Sequence, residues 1–290
     1  MNPRLTSHLC RASIVSAIAI AAGAFAQATA APTTKPSAAP AQTKEPLPSA
    51  AEVFANAVKA IGGADIIRQQ SARTQVGAVE MPAQNLKGTI VTRSVAPDYL
   101  LVETEIPGFG KIFQGMNKSV GWTIDPMRGP SLMTTEELAQ VKREASTDAE
   151  LNPGTGFDSV AVVDKVAFNG VPCFKVKFVK GATESFKYYA VDSGLLTGSE
   201  DTVDSALGPM RVVSLYKDYT DFSGRKIARV LEATTMGQVQ RVTIDTIDFA
   251  PVDLSVFALP AEIQALADAQ KSAPSSPSAP ATPSHTPATK

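Results

Sequence analysis

Histidine is nearly missing from this 290-residue sequence: His8 and His285 are the two present, one near each terminus. The long stretch between them cannot supply Ser-His-Asp or Cys-His nucleophilic machinery, nor a His-containing zinc site. Cysteine is as scarce, and Cys10 falls in a segment that reads as a removable leader, so a mature chain would keep Cys173 alone. One thiol gives neither an intramolecular disulfide nor a thiolate cluster, so no metal and no cofactor is expected and stability must come from the core. Excess charge is lacking too. The 27 Lys and Arg stand against 28 Asp and Glu, and loss of Arg4 and Arg11 with the leader makes this 25 against 28, a net −3. Nothing in that balance favours nucleic acid. A phosphate loop is absent as well. Gly108-Phe109-Gly110-Lys111 is followed by Ile112 where Ser or Thr is required, so it reads as a turn between strands with Phe109 exposed at its tip.

Residues 1–30 have the form of a secretory signal. Arg4 and Arg11 precede the apolar run SIVSAIAIAAGAFA, and small-residue cleavage sites follow at Ala26-Gln27-Ala28 and Ala28-Thr29-Ala30. The run is short and alanine-rich for a membrane span. Cys10 precedes it, which is not the geometry of a lipoprotein signal. A soluble mature chain in the periplasm is the expectation. Residues 31–48 and 271–290 are rich in proline, alanine, serine and threonine and read as disordered tethers. Residues 49–270 between them suffice for one domain with a sizeable core.

That domain opens on Ser49-Ala50-Ala51-Glu52, a capping-box pattern, with Val53, Phe54, Ala57, Val58 and Ile61 at helical spacing until Gly62-Gly63. From Arg73 the period changes to short β-branched or aromatic runs punctuated by Gly, Pro, Asn and Asp. Five strands are expected through Asp125, then a helix over 134–146 with Thr134 and Glu137 as a second capping box. Seven more strands follow, cornered by Asn169-Gly170, Asp192-Ser193-Gly194, Ser223-Gly224 and Met236-Gly237. PAEIQALADAQ reads as a terminal helix. Eleven or twelve antiparallel strands with few helices predict a mainly β fold: one curved sheet, an incomplete barrel, with helices over its apolar face. A filled sandwich is the alternative.

The chain's single tryptophan lies in FQGMNKSVGWTIDP. With Asn117-Lys118 as the turn, Phe113 would face Trp122 and Gly115 would face Val120, with Val120, Trp122 and Ile124 on one side. Such an aromatic surface suits either an apolar ligand or a core. The candidate cavity residues are Phe109, Phe113, Met116, Val120, Trp122 and Ile124. Carboxylates are the remaining route to catalysis, yet Glu103 and Glu105 lie side by side on one strand face, and Asp125 before Pro126 is a turn former. Cys173 shares a strand face with Lys175 and Lys177 but has no partner for redox or nucleophilic work. Tyr188, Tyr189, Tyr216 and Tyr219 read as amphipathic strand residues.

Four segments, FQGMNKSVGWTIDPMRGPSLM, YYAVDSGLLTG, KDYTDFSGRKIA and IDFAPVDLSVFALP, run in this order within roughly residues 50 to 262. In architecture and punctuation they resemble the periplasmic lipoprotein-carrier superfamily (LolA/LolB-like), in particular the outer-membrane lipoprotein-sorting group. The resemblance implies an incomplete antiparallel barrel of about eleven strands whose helices cover a hydrophobic cavity for acyl chains. With the signal peptide, the sheet-rich domain and the missing catalytic repertoire, the leading expectation is a non-enzymatic carrier or binding protein with an acylated protein or lipid as partner. The alternatives are an envelope sensor or scaffold of the same fold that binds a membrane-protein partner, and a carboxylate-dependent hydrolase.

Overall fold

A computed structural model describes residues 46–205 and 208–272. The expected signal peptide, residues 31–45 of the first tether and 273–290 of the second lie outside the described residues. Thirteen strands form one antiparallel sheet, one or two more than expected. The first meander comprises β1 (Ala72–Met81), β2 (Leu86–Val95), β3 (Tyr99–Ile106), β4 (Gly110–Asn117), β5 (Val120–Asp125) and β6 (Gly129–Leu132). The second comprises β7 (Ser159–Phe168), β8 (Val171–Lys180), β9 (Thr183–Ala190), β10 (Leu196–Ser205), β11 (Gly208–Phe222), β12 (Arg225–Thr235) and β13 (Gln238–Asp248).

Antiparallel pairing of β1 with β13 joins the meanders, leaving β6 and β7 at opposite edges, so the curved sheet does not close into a barrel. β6 is the strand that sequence reading passed over. Gly129-Pro130-Ser131-Leu132 holds a proline and no β-branched residue, a composition tolerated at a sheet edge. The corners follow the turn chemistry: Asn169, Ser223 and Met236 take positive φ, each followed by a glycine that does the same.

The described α-helices are α1 (Ala50–Ala60), α2 (Ala64–Gln69), α3 (Thr135–Ala145), α4 (Thr147–Leu151) and α5 (Ala261–Ser272). Both capping boxes form, Ser49 with Glu52 and Thr134 with Glu137. The expected 134–146 helix ends at Ala145, because the Ser146 side chain accepts from Asp148 N and starts the short α4.

Two helices seat on one face of the sheet, hereafter the inner face. From α1 and the start of its second turn, Val53, Phe54 and Ala57 pack against Val160, Val162, Val176, Phe178 and Tyr189, with the Phe54 ring 5.9 Å from that of Phe178. α3 applies Leu138, Val141 and Ala145 to Ile90, Leu100, Val102 and Met116. On the outer face of β3 and β4 lies the 3₁₀ turn Leu254–Phe257. The Phe257 ring is 5.4 Å from that of Tyr99, and Asn117 Nδ2 donates to its carbonyl at 2.9 Å. α5 continues against β6, with Ile263 and Ala267 buried.

Candidate ligand-binding cavity

Register decides where the aromatic hairpin points. Phe113 pairs with Ile124, Gly115 with Trp122, and Asn117 with Val120, two residues away from the expected pairing. The turn is therefore Lys118-Ser119, with Lys118 at φ +53°. Packing supplies the reason. The indole lies across Gly115, where an added Cβ would sit 2.3 Å from the ring, so the bulky ring sits opposite the one residue without a side chain.

Strand alternation then divides the six candidates. Met116 faces inward beneath α3, and its neighbours Phe113, Val120, Trp122 and Ile124 face outward with Tyr99 and Asn117, on the side that carries Phe257. Phe109 is half-buried instead of exposed, since it packs on Val79, Met81 and Ile106.

An inner-face cavity of about 380 Å³ lies between the sheet and the helices, and none of the six lines it. Its apolar wall comes from both meanders and from the cover: Ile90, Leu231, Val242 and Ile244 from strands, Val58 and Ile61 from α1 and its end. The polar members are Arg73, Gln75, Thr92, Glu150, Lys187, Tyr189, Tyr216, Tyr219, Arg225 and Lys226. Three of the tyrosines read as ordinary strand residues are thus brought together here. Their gathering depends on a β9–β10–β11 register that no local pattern reveals.

Arg225, 2% exposed, stands at the start of β12. Its Nη2 donates to both carboxylate oxygens of Glu150 on α4, and its Nη1 reaches Gln70 O at 3.5 Å. Its Nε is buried without a hydrogen-bond partner, as are Arg73 Nε and Gln70 Oε1. Burial pulls the Arg73 guanidinium below its ordinary pKa; repulsion from Arg225 adds to this and Glu150 opposes it. Burial likewise lowers Lys187, against the pull of Asp201 and Glu144, while Arg143 reinforces the lowering. Tyr189 and Tyr219 are pushed upward chiefly by burial, so both hydroxyls stay protonated, and Tyr219 donates to Leu196 O at 2.8 Å.

The carboxylates considered for catalysis lie elsewhere. Glu103 and Glu105 both pair with Lys111, at 2.8 and 3.4 Å, and Asp125 Oδ1 accepts from Met127 N and Arg128 N in the β5–β6 turn. Cys173 is fully buried, its thiol 3.5 Å from Thr197 Oγ1. Among the described residues no helix is long and apolar enough to cross a membrane, and no cluster of three or more His, Cys, Asp or Glu could hold a metal ion.

No protein-family model and no curated protein matches the chain. Solved structures do match in fold. A LolA superfamily protein from Nitrosomonas europaea aligns at a TM-score of 0.51 and 11% identity, over 73% of this chain and 99% of that one. A DUF1329 family protein from Desulfovibrio piger aligns at 0.50 and 9% identity, over 71% of this chain and 96% of the other. An outer membrane lipoprotein-sorting protein domain from Vibrio parahaemolyticus aligns at 0.44 and 10% identity, over 70% and 97%. The architecture is that of the LolA superfamily fold, as the four sequence segments led us to expect.

Proposed function

We propose that the chain is a non-enzymatic carrier or binding protein that holds a lipid, an acylated protein or another apolar ligand in the inner-face cavity. It would act in the periplasm after removal of residues 1–30. The cavity carries this reading. Its volume of about 380 Å³ falls within the roughly 300–1,000 Å³ of small-molecule sites. Its wall is predominantly aliphatic, burial keeps the Tyr189 and Tyr219 hydroxyls protonated, and Glu103, Glu105 and Asp125, the carboxylates considered for hydrolysis, sit outside it. Each buried methylene contributes roughly 0.8 kcal/mol, so a chain of about ten gains on the order of 8 kcal/mol before the cost of immobilising it.

Native mass spectrometry of the purified protein tests the reading. The expected result is a lipid mass shed on denaturation, and after delipidation uptake of fatty acid or phospholipid. Ala228 lines the cavity, and Ala228→Phe should cut that uptake by about tenfold by occupying the space. A delipidated protein that takes up no fatty acid, phospholipid or lipopeptide would sink the proposal.

A further inference from the structure

The polar end of the cavity is unbalanced in charge and in hydrogen bonding. Its lining holds four cationic side chains, Arg73, Lys187, Arg225 and Lys226, and one carboxylate, Glu150. Lys187 has carboxylates of its own nearby in Asp201 and Glu144. Glu150 is committed to Arg225. Lys226 is exposed to solvent. That leaves Arg73, buried beside Arg225 and only partly offset by the Glu150 charge, with its Nε without a partner. A buried polar atom without a partner costs free energy, and a buried uncompensated cation costs more. The excess positive charge in one cavity has a simple complement, an anion whose oxygens accept from the guanidinium groups. Guanidinium groups pair with carboxylates and phosphates in particular, because the planar fork matches the spacing of their oxygens.

We infer that the cavity is built for an anionic amphiphile, whose carboxylate or phosphate head rests on Arg73 and Arg225 while its apolar tail lies along Val58, Ile61, Val242 and Ile244. This rests on the carrier reading and narrows it. A neutral chain gains the burial of its tail but leaves the excess positive charge without a counter-charge; an anionic one supplies it. Glu150 supplies one of the two negative charges that Arg73 and Arg225 together call for and holds it at Arg225, so the vacancy that selects the ligand is centred on Arg73.

Three ligands of one chain length, laurate, dodecyl phosphate and dodecanol, are titrated into the delipidated full chain by calorimetry. Laurate or dodecyl phosphate should bind about tenfold or more tighter than dodecanol, the size of one charge-assisted hydrogen bond. The Arg73→Gln variant should abolish that difference, and Arg73→Lys should restore part of it. Of the two anions, tighter laurate identifies a free fatty acid as the natural head and tighter dodecyl phosphate a phospholipid-derived one. Equal binding of all three ligands to the unaltered chain overturns the inference and leaves the carrier reading standing. Binding of none of them overturns the inference, and the carrier reading falls with it only if phospholipid and lipopeptide are refused as well. A preference for anions that survives in folded Arg73→Gln overturns the assignment to Arg73. If that variant does not fold, the comparison of the three ligands on the unaltered chain decides by itself.

Discussion

Gly115 and Trp122 show how one missing side chain positions a hairpin. The indole is 3% exposed and lies flat on the glycine, so its ring cannot swing aside for a methyl group 2.3 Å away. Gly115→Ala must shift the ring or the strand, at an expected cost of about 1–3 kcal/mol. That corresponds to a Tm lower by about 2–4 °C per kcal/mol in a domain of this size. Thermal unfolding followed by tryptophan emission measures it, and an unchanged Tm would show that the packing is looser than described. The same geometry separates Trp122 from the cavity, which opens on the opposite face. The residue best seen in the sequence is therefore a part of the fold, and the arginines that line the cavity, Arg73 and Arg225, are ones that pattern alone passed over. An arginine in a strand reads as exposed until the sheet and its helical cover are assembled around it.

At the scale of elements, capping boxes and corners were legible because their determinants are neighbours in sequence: Ser49 with Glu52, Thr134 with Glu137, Asn169 with Gly170. β6 was not, having four residues with a proline and no β-branched side chain, and the β4–β5 register depended on a contact between strands. α3 carries a consequence of its placement. Its Glu144 accepts from Gln140 Nε2 and faces Lys187, Arg143 and Asp201, and burial raises its pKa above the ordinary 4.5 in spite of the favourable pull of Gln140, Lys187 and Arg143. A raised carboxyl pKa means that the folded chain holds this proton more firmly than the unfolded one. The stability it brings is fully present below the unfolded value and is lost as pH rises through the folded one. Glu144→Gln keeps a neutral group of the same shape at every pH. The variant should melt like the unaltered protein near about pH 4 and above it near about pH 7.5. A difference in Tm that does not change between those two pH values would refute the account of α3 as a helix seated over a reluctant carboxylate.

For the molecule as a whole, two meanders meet through the β1–β13 ladder, and the cavity draws its wall from both as well as from α1 and α4. A ligand there touches parts that are far apart in sequence and binds only when they are assembled, so it must stabilise the folded chain. At a free concentration about one hundred times its Kd the gain is about 2.7 kcal/mol. The outer-face segment has no share in the cavity lining: Phe257 lies on the other side of β3 and β4, and no residue of α5, which packs against β6, lines it. Hydrogen exchange with and without laurate should therefore show a divided response. Amides of α1, α4 and the β1, β12 and β13 strands should slow, because local opening there now requires release of the ligand. Amides of α5 should exchange at the same rate in both samples, and Trp122 emission should not move. Protection that appears in α5 and shifts the tryptophan, with α1 and α4 unaffected, would place the ligand on the outer face and transfer the binding role to the aromatic hairpin.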